Sequence, residues 1–228
     1  MRIAVAIDCE MGTAKSGDSE VIRVTLIDYF SSDILIDSLV YPDVEMAHYN
    51  TRFSGVTKKD MEFARARGKC FRGRNKARAG VWQFVGPDTV VVGHSPNNDL
   101  TAMRWIHSVV VDTFLIESTI PKDPKGDVAK EEKPPEPSTV VLMDNAVSLN
   151  KDQQTPPKRR KGSGTRSLKT LSMVRLGREI QTGGKKGHDS LEDAVATRDL
   201  AHWHVVHNNS EAPQAPHDKC DPALVVAS

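Results

Sequence analysis

The sequence predicts a mixed α/β domain, one sheet of five strands flanked by helices. Two observations carry that expectation. Three β-patterned runs follow one another near the start with only short connections, which makes them antiparallel neighbours. Further on, two short Val-rich runs are separated by a helical stretch, and a strand–helix–strand unit makes a parallel pair. Helices between and after the strands then cover the faces of the sheet.

Taken in order, Ile3 to Ile7 is a continuous apolar run with β-branched residues, the pattern of a strand buried on both faces. Asp8 and Glu10 follow it. Side chains alternate along a strand, so these acids share a face with Ala4 and Ala6, while Ile3, Val5, Ile7 and Cys9 point the other way. A polar loop from Thr13 to Glu20 leads to strands at Val21–Phe30 and Ile34–Tyr41, split by the turn-prone Ser31-Ser32-Asp33. Glu62 to Val85 reads as helical or irregular. It holds seven bases between Arg65 and Arg78 with no acid among them, suited to phosphate contact or to a solvated helix face. Thr89–Gly93 is the fourth strand and Val109–Asp112 the fifth. Between them a helix starts near Asn97 or Asn98, either of which can cap it, with Leu100, Met103 and Ile106 as its apolar stripe.

The composition changes after the fifth strand. Residues 121–166 hold seven of the thirteen prolines and no aromatic residue, so they cannot bury enough apolar surface to offset their ordering entropy. They are expected to form a disordered insertion within a single domain at 1–207, with a disordered tail at 208–228. Order resumes at Ser167 with a short helix carrying Leu168, Leu171 and Val174. A glycine-rich, basic loop, Gly183 to Gly187, delivers His188 to a last helix from Asp189 to about His207. Leu191, Ala194, Val195, Ala201 and Val205 are its apolar side.

The 228 residues carry 31 basic and 30 acidic side chains, a balance that argues neither for nor against nucleic acid. No apolar run approaches the ~20 residues of a membrane span, so no membrane partner is expected. Three cysteines, without zinc-like spacing, suit a reducing intracellular compartment. Inside the insertion, Pro156-Pro157-Lys158-Arg159-Arg160-Lys161 reads as a nuclear-targeting run or a solvated charge cluster.

Two carboxylates at the end of a buried strand repel each other and lose hydration. A cation would relieve both costs, and oxygen-only ligands suit Mg²⁺ or Mn²⁺; a solvated strand end is the plainer alternative. Two further places repeat the spacing Gly-His-x-x-x-x-Asp: Gly93-His94 to Asp99 and Gly187-His188 to Asp193. Each sets an acid in the first turn of a helix. There Asp99 also favours the positive helix end, and Ser190-x-x-Asp193 resembles a capping box.

As a set, Asp8-x-Glu10, His94-x-x-x-x-Asp99 and His188-x-x-x-x-Asp193 resemble the three exonuclease motifs of the DEDDh family. The eukaryotic RNA exonucleases that include the Rex proteins and the small interferon-stimulated exonuclease are the branch they look like. Thr51-Arg52-Phe53-Ser54-Gly55-Val56-Thr57 and Gly187-His188-Asp189-Ser190-Leu191-Glu192-Asp193-Ala194 extend the likeness. The resemblance implies a ribonuclease H-like fold and release of nucleoside 5′-monophosphates from a 3′ end. It implies that Asp8, Glu10, Asp99 and Asp193 hold two divalent ions, Mg²⁺ or Mn²⁺, with Asp8 bridging, and that His188 takes the proton of the attacking water. Met11, Gly12, His94 and Asn98 are the substrate contacts it implies. A single strand is the implied partner, RNA rather than DNA, although some relatives carry Arg where Asn50 stands. The chemistry is coherent: two metals ~3.5–4 Å apart orient a nucleophile and relieve charge on the leaving oxygen, and an imidazole serves as base near neutral pH. A DNA-directed exonuclease and a non-catalytic nucleic-acid-binding scaffold are the rival readings.

Overall fold

The computed structural model describes residues 1–119, 166–184 and 187–208. The expected insertion, the tail and the basic run at 156–161 lie outside the described residues, apart from Arg166 and Asn208.

The antiparallel meander comprises β1 (Ala4–Ala14), β2 (Ser19–Asp28) and β3 (Ile34–Tyr41). The parallel unit is β6 (Val90–Gly93), α4 (Asn97–Ala102) and β7 (Val110–Asp112), with β6 also parallel to β1. The sheet is mixed, as expected, but among the described residues it has seven strands rather than five. The main path starts from β5 (Cys70–Arg72) and continues β3-β2-β1-β6-β7, and β4 (Met46–His48) pairs separately with β1.

The two additional strands have three residues each. β4 (Met46–His48) closes on the far end of β1, and β5 (Cys70–Arg72) lies parallel to β3 inside the basic run read as helical. That run is two helices, α2 (Lys58–Ala66) and α3 (Arg74–Val81), parted at Gly68, whose φ of 65° is left-handed. α2 starts on a capping box in which Thr57 Oγ1 accepts from the Asp60 amide and Asp60 accepts from the Thr57 amide. Three of the run's cations are tied within the fold. Arg74 pairs with Glu20 at 2.7 Å, Arg78 donates to the carbonyls of Met103 and Arg104, and Arg65 donates to the Tyr41 hydroxyl.

Strand alternation sorts the core. Val5, Ile7 and Cys9 pack with Ala77 and Val81 of α3 and Leu100 of α4. On the opposite face Ala6, Ile27 and Val92 meet Ala194 and Ala201 of α7 (Ser190–Asn208). α6 (Leu168–Leu176) joins α7 through Leu168, Leu171, Ala196 and Leu200. Burying each large aliphatic side chain contributes roughly 1.5–3 kcal/mol.

Three stripe assignments change. Ile106 is 97% exposed, because α4 ends at Ala102 and the chain turns through Arg104, where φ is 49°. Val174 and Val205 are 68% and 53% exposed. Each lies at the margin of a helix whose buried face is set by its neighbours. A helix that the residue pattern did not announce, α5 (Thr113–Thr119), brings Glu117 into contact with Arg175 and His204 from α6 and α7. Cys9 and Cys70 are free thiols. Among the described residues no helix is long and apolar enough to cross a membrane.

Candidate active site

The register of β1 against β6 sets the level of the site. Ala6 pairs with Val92, so β6 ends at Gly93 while β1 runs on. Just beyond that end the Cys9 amide donates to Asp99 Oδ1 at 2.8 Å, which fixes the first turn of α4 against β1. Asp8 and Glu10 project from the other face of β1, toward α7, whose first turn carries the buried Asp193. Ser190 holds that turn to the sheet through a 2.6 Å hydroxyl contact with Thr25.

The four carboxylates sense one another. Burial, and then the charges of Asp99, Asp193 and Glu10, push the Asp8 carboxyl well above its ordinary value. Glu10 is pushed up to about 8, first by burial and then by Asp193. Burial raises Asp99 to about 7 against the opposing Cys9 hydrogen bonds, and raises Asp193 to about 6 against Gln181 and His188. Arg23 lies directly across the sheet from Glu10 and offsets part of this repulsion. It also pairs with Asp37 and with Asp189, the latter at 3.0 Å.

His188 arrives through a tight approach. Gly187 has φ 80°, and a Cβ there would lie 2.2 Å from the Gly55 amide nitrogen. Only glycine meets both conditions. The His188 amide then donates to the Phe53 carbonyl at 2.6 Å. Its Nδ1 stands 3.6 Å from Asp193 Oδ2 and the side chain is 43% exposed. It lines a cleft of about 830 Å³ with Arg52, Phe53, Lys169 and Gln181.

The residues expected to touch substrate are differently placed. Asn98 is exposed in the first turn of α4, beside Asp99. Met11 is partly buried against the core, and its carbonyl accepts from Asn50 Nδ2 at 3.0 Å. Asn50 thus ties the start of α1 (Thr51–Ser54) to β1. Gly12 admits β4, since a Cβ there would lie 2.5 Å from Met46 Cε. Both ring nitrogens of His94 are engaged within the protein. Nε2 donates to the Arg166 carbonyl at 3.1 Å and Nδ1 meets the Thr113 hydroxyl at 2.9 Å. Burial, despite nearby Asp112, favours its neutral form.

The donor set fits a hard divalent cation: four carboxylates, no thiolate, and a mutual repulsion that positive charge would relieve. The side chains are not drawn into a ready cage. Among the described residues no three His, Cys, Asp or Glu converge to hold a metal. Asp99 and Asp193 face protein donors instead. The motif residues did not reveal Gln181, Arg23 or Lys169. Arg23 could have been found only from the β1–β2 register, and the other two only from the packing of α6 beside α7.

The mixed sheet gathers buried acids from a strand end and two helix starts beside a loop histidine, a donor set that suits metal-assisted cleavage of a phosphodiester. Comparison with known proteins agrees. No family model matches the chain. It is 30% identical over 201 residues to RNA exonuclease 3 of Candida albicans, covering 88% of this chain and 38% of that protein. It is 31% identical over 220 residues to exonuclease GOR of Pan troglodytes, covering 96% of this chain and 25% of that one. The chain thus spans well under half the length of these curated relatives. The fold matches the Pan2 pseudoubiquitin hydrolase–RNA exonuclease module of Saccharomyces cerevisiae, solved with AAGGA RNA. That match has TM-score 0.61 and 22% identity, over 92% of this chain and 30% of the other. By sequence the chain is similar to proteins named RNA exonuclease 3 and exonuclease GOR, and its mixed sheet shares the fold of the Pan2 module.

Proposed function

We propose that this domain is a metal-dependent 3′→5′ exoribonuclease of the DEDDh subtype that releases nucleoside 5′-monophosphates from single-stranded RNA. The observation that carries the reading is the pairing of His188 with Asp193 at the rim of a cleft, beside three further acids that burial and mutual repulsion leave short of positive charge. Asp8, Glu10, Asp99 and Asp193 would hold two Mg²⁺ or Mn²⁺ ions. Bound there, the ions would activate a water and neutralise charge on the scissile phosphate. His188, half-exposed and held by its own backbone, would take a proton from the attacking water and pass it to solvent. Arg52 and Lys169 line the cleft where a phosphate backbone would lie, and the exposed Phe53 ring beside them offers a base a face to stack on. Asn98 and Met11 are the expected contacts left open or partly open to the terminal nucleotide.

RNA is favoured over DNA by the names of the relatives, not by a residue that reads a 2′-hydroxyl. The Asn50 amide is engaged on β1. A nuclear or nucleolar setting belongs to the same proposal through the basic run at 156–161, and a reporter carrying residues 150–166 that stays cytoplasmic would count against it. The test of activity uses 5′-labelled RNA and DNA of one sequence, with Mg²⁺, with Mn²⁺ and with EDTA. A ladder shortening from the 3′ end of the RNA, abolished by EDTA, is expected. A ladder on DNA alone would make the enzyme DNA-directed, and binding without any ladder would make it a scaffold.

The backbone at 187 gives a second check. Gly187→Ala cannot keep both the left-handed φ and the contact with Gly55, so His188 shifts. Misplacement of about 1 Å costs roughly 10²-fold in rate. Turnover of a short RNA should fall by at least that factor, with Tm lowered by only a few degrees, as followed by circular dichroism.

A further inference from the structure

Gln181 sits between α6 and the loop that carries His188, and three of its polar groups are engaged. Its amide donates to Glu192 Oε2 at 2.7 Å, and its carbonyl accepts from Lys169 Nζ at 3.2 Å. Its side-chain Nε2 donates to both oxygens of Asp193, at 3.2 and 2.9 Å. The residue therefore grips two consecutive acids in the first turn of α7. It does so from a left-handed backbone, φ 56°, which is uncommon for glutamine. The preceding Ile180 is buried in the α6–α7 core and fixes the height of this turn. Strain of this kind persists where surrounding structure over-determines a residue, and it collects at functional sites.

We infer that Gln181 is a positioning residue for the metal centre: it sets the plane of the Asp193 carboxylate, leaving the lone pairs it does not use free for a divalent ion. The inference rests on the metal-binding reading of Asp193 given above. A carboxylate fixed by one amide across both oxygens cannot swivel toward His188, 3.6 Å away. Partners that orient metal ligands in this way typically affect metal affinity by ~10–100-fold. A purely structural strut would affect stability instead.

Two variants separate these roles. Gln181→Asn adopts the left-handed conformation more readily, yet its shorter amide withdraws from Asp193. Gln181→Met keeps the length and removes the donor. Mn²⁺ binding to the free protein is measured by calorimetry or by the electron paramagnetic resonance of unbound ion, and Tm is measured in EDTA. In Gln181→Asn the Kd for Mn²⁺ should rise at least ~10-fold while Tm stays level or rises, so affinity and stability part company. Gln181→Met should show the same loss of affinity. Mn²⁺ affinity within twofold of the unaltered protein in either folded variant would overturn the inference and leave Gln181 a strut. An unaltered protein that binds no Mn²⁺ would overturn the metal-centre reading itself, and the inference with it.

Discussion

Asp8→Asn should lose turnover by about 10³-fold or more, because the proposed bridging ligand supplies several kcal/mol of charge stabilisation and each ~1.4 kcal/mol is tenfold in rate. The fold should survive. In the metal-free protein it should be strengthened, since the partly buried Asp8 is repelled by Asp99, Asp193 and Glu10. The pH dependence follows from the direction of these shifts. Glu10 titrates at about 8 in the folded protein against an ordinary 4.5, so the folded state binds more protons between those values. Stability of the metal-free protein is then fully present below about the ordinary value and is lost as pH rises through the folded one. Removing one charge from the cluster relieves part of that loss. At pH 8 in EDTA, Asp8→Asn should gain on the order of 1 kcal/mol, roughly 2–4 °C in Tm for a chain of this size. Thermal scans at pH 5 and pH 8 check it. Ordinary turnover by Asp8→Asn at saturating Mg²⁺ would remove Asp8 from the centre of the account.

His188→Ala should cost ~10²–10⁴-fold in kcat, the usual contribution of a positioned general base. It should leave Mn²⁺ affinity nearly unchanged, because His188 meets Asp193 from outside the acid cluster. The contrast with Asp8→Asn is therefore the informative part, one variant losing the base and the other a ligand. A large loss of Mn²⁺ affinity in His188→Ala would instead make His188 a ligand or the support of one.

Much of this site is legible in the chain because its chemistry is local. Asp8 and Glu10 lie two apart on one strand, and Asp99 and Asp193 each open a helix, so short patterns single out all four as candidates. The mixed sheet is legible for the same reason, since short connections and one strand–helix–strand unit dictate its two kinds of pairing. The rest depends on neighbours distant in sequence. β4 and β5 are three residues long, too short for alternation to register, and β5 is defined by pairing with Leu39 to Tyr41. Val174 and Val205 carry the residue type of a buried stripe but are left more than half exposed by the described residues around them. Arg23 gains its place beside Glu10 only through the register of two strands, and Gln181 reaches Asp193 only once α6 and α7 are packed.

The central claim, that Asp8, Glu10, Asp99 and Asp193 form one dinuclear metal centre, is tested most directly by anomalous diffraction. Crystals of the protein soaked in Mn²⁺ with a nucleoside 5′-monophosphate would be measured at the manganese edge. Two anomalous peaks among these four carboxylates are expected, with His188 nearby but outside bonding distance. Crystals that hold the nucleotide without manganese among those carboxylates, or with manganese only elsewhere on the surface, would contradict it.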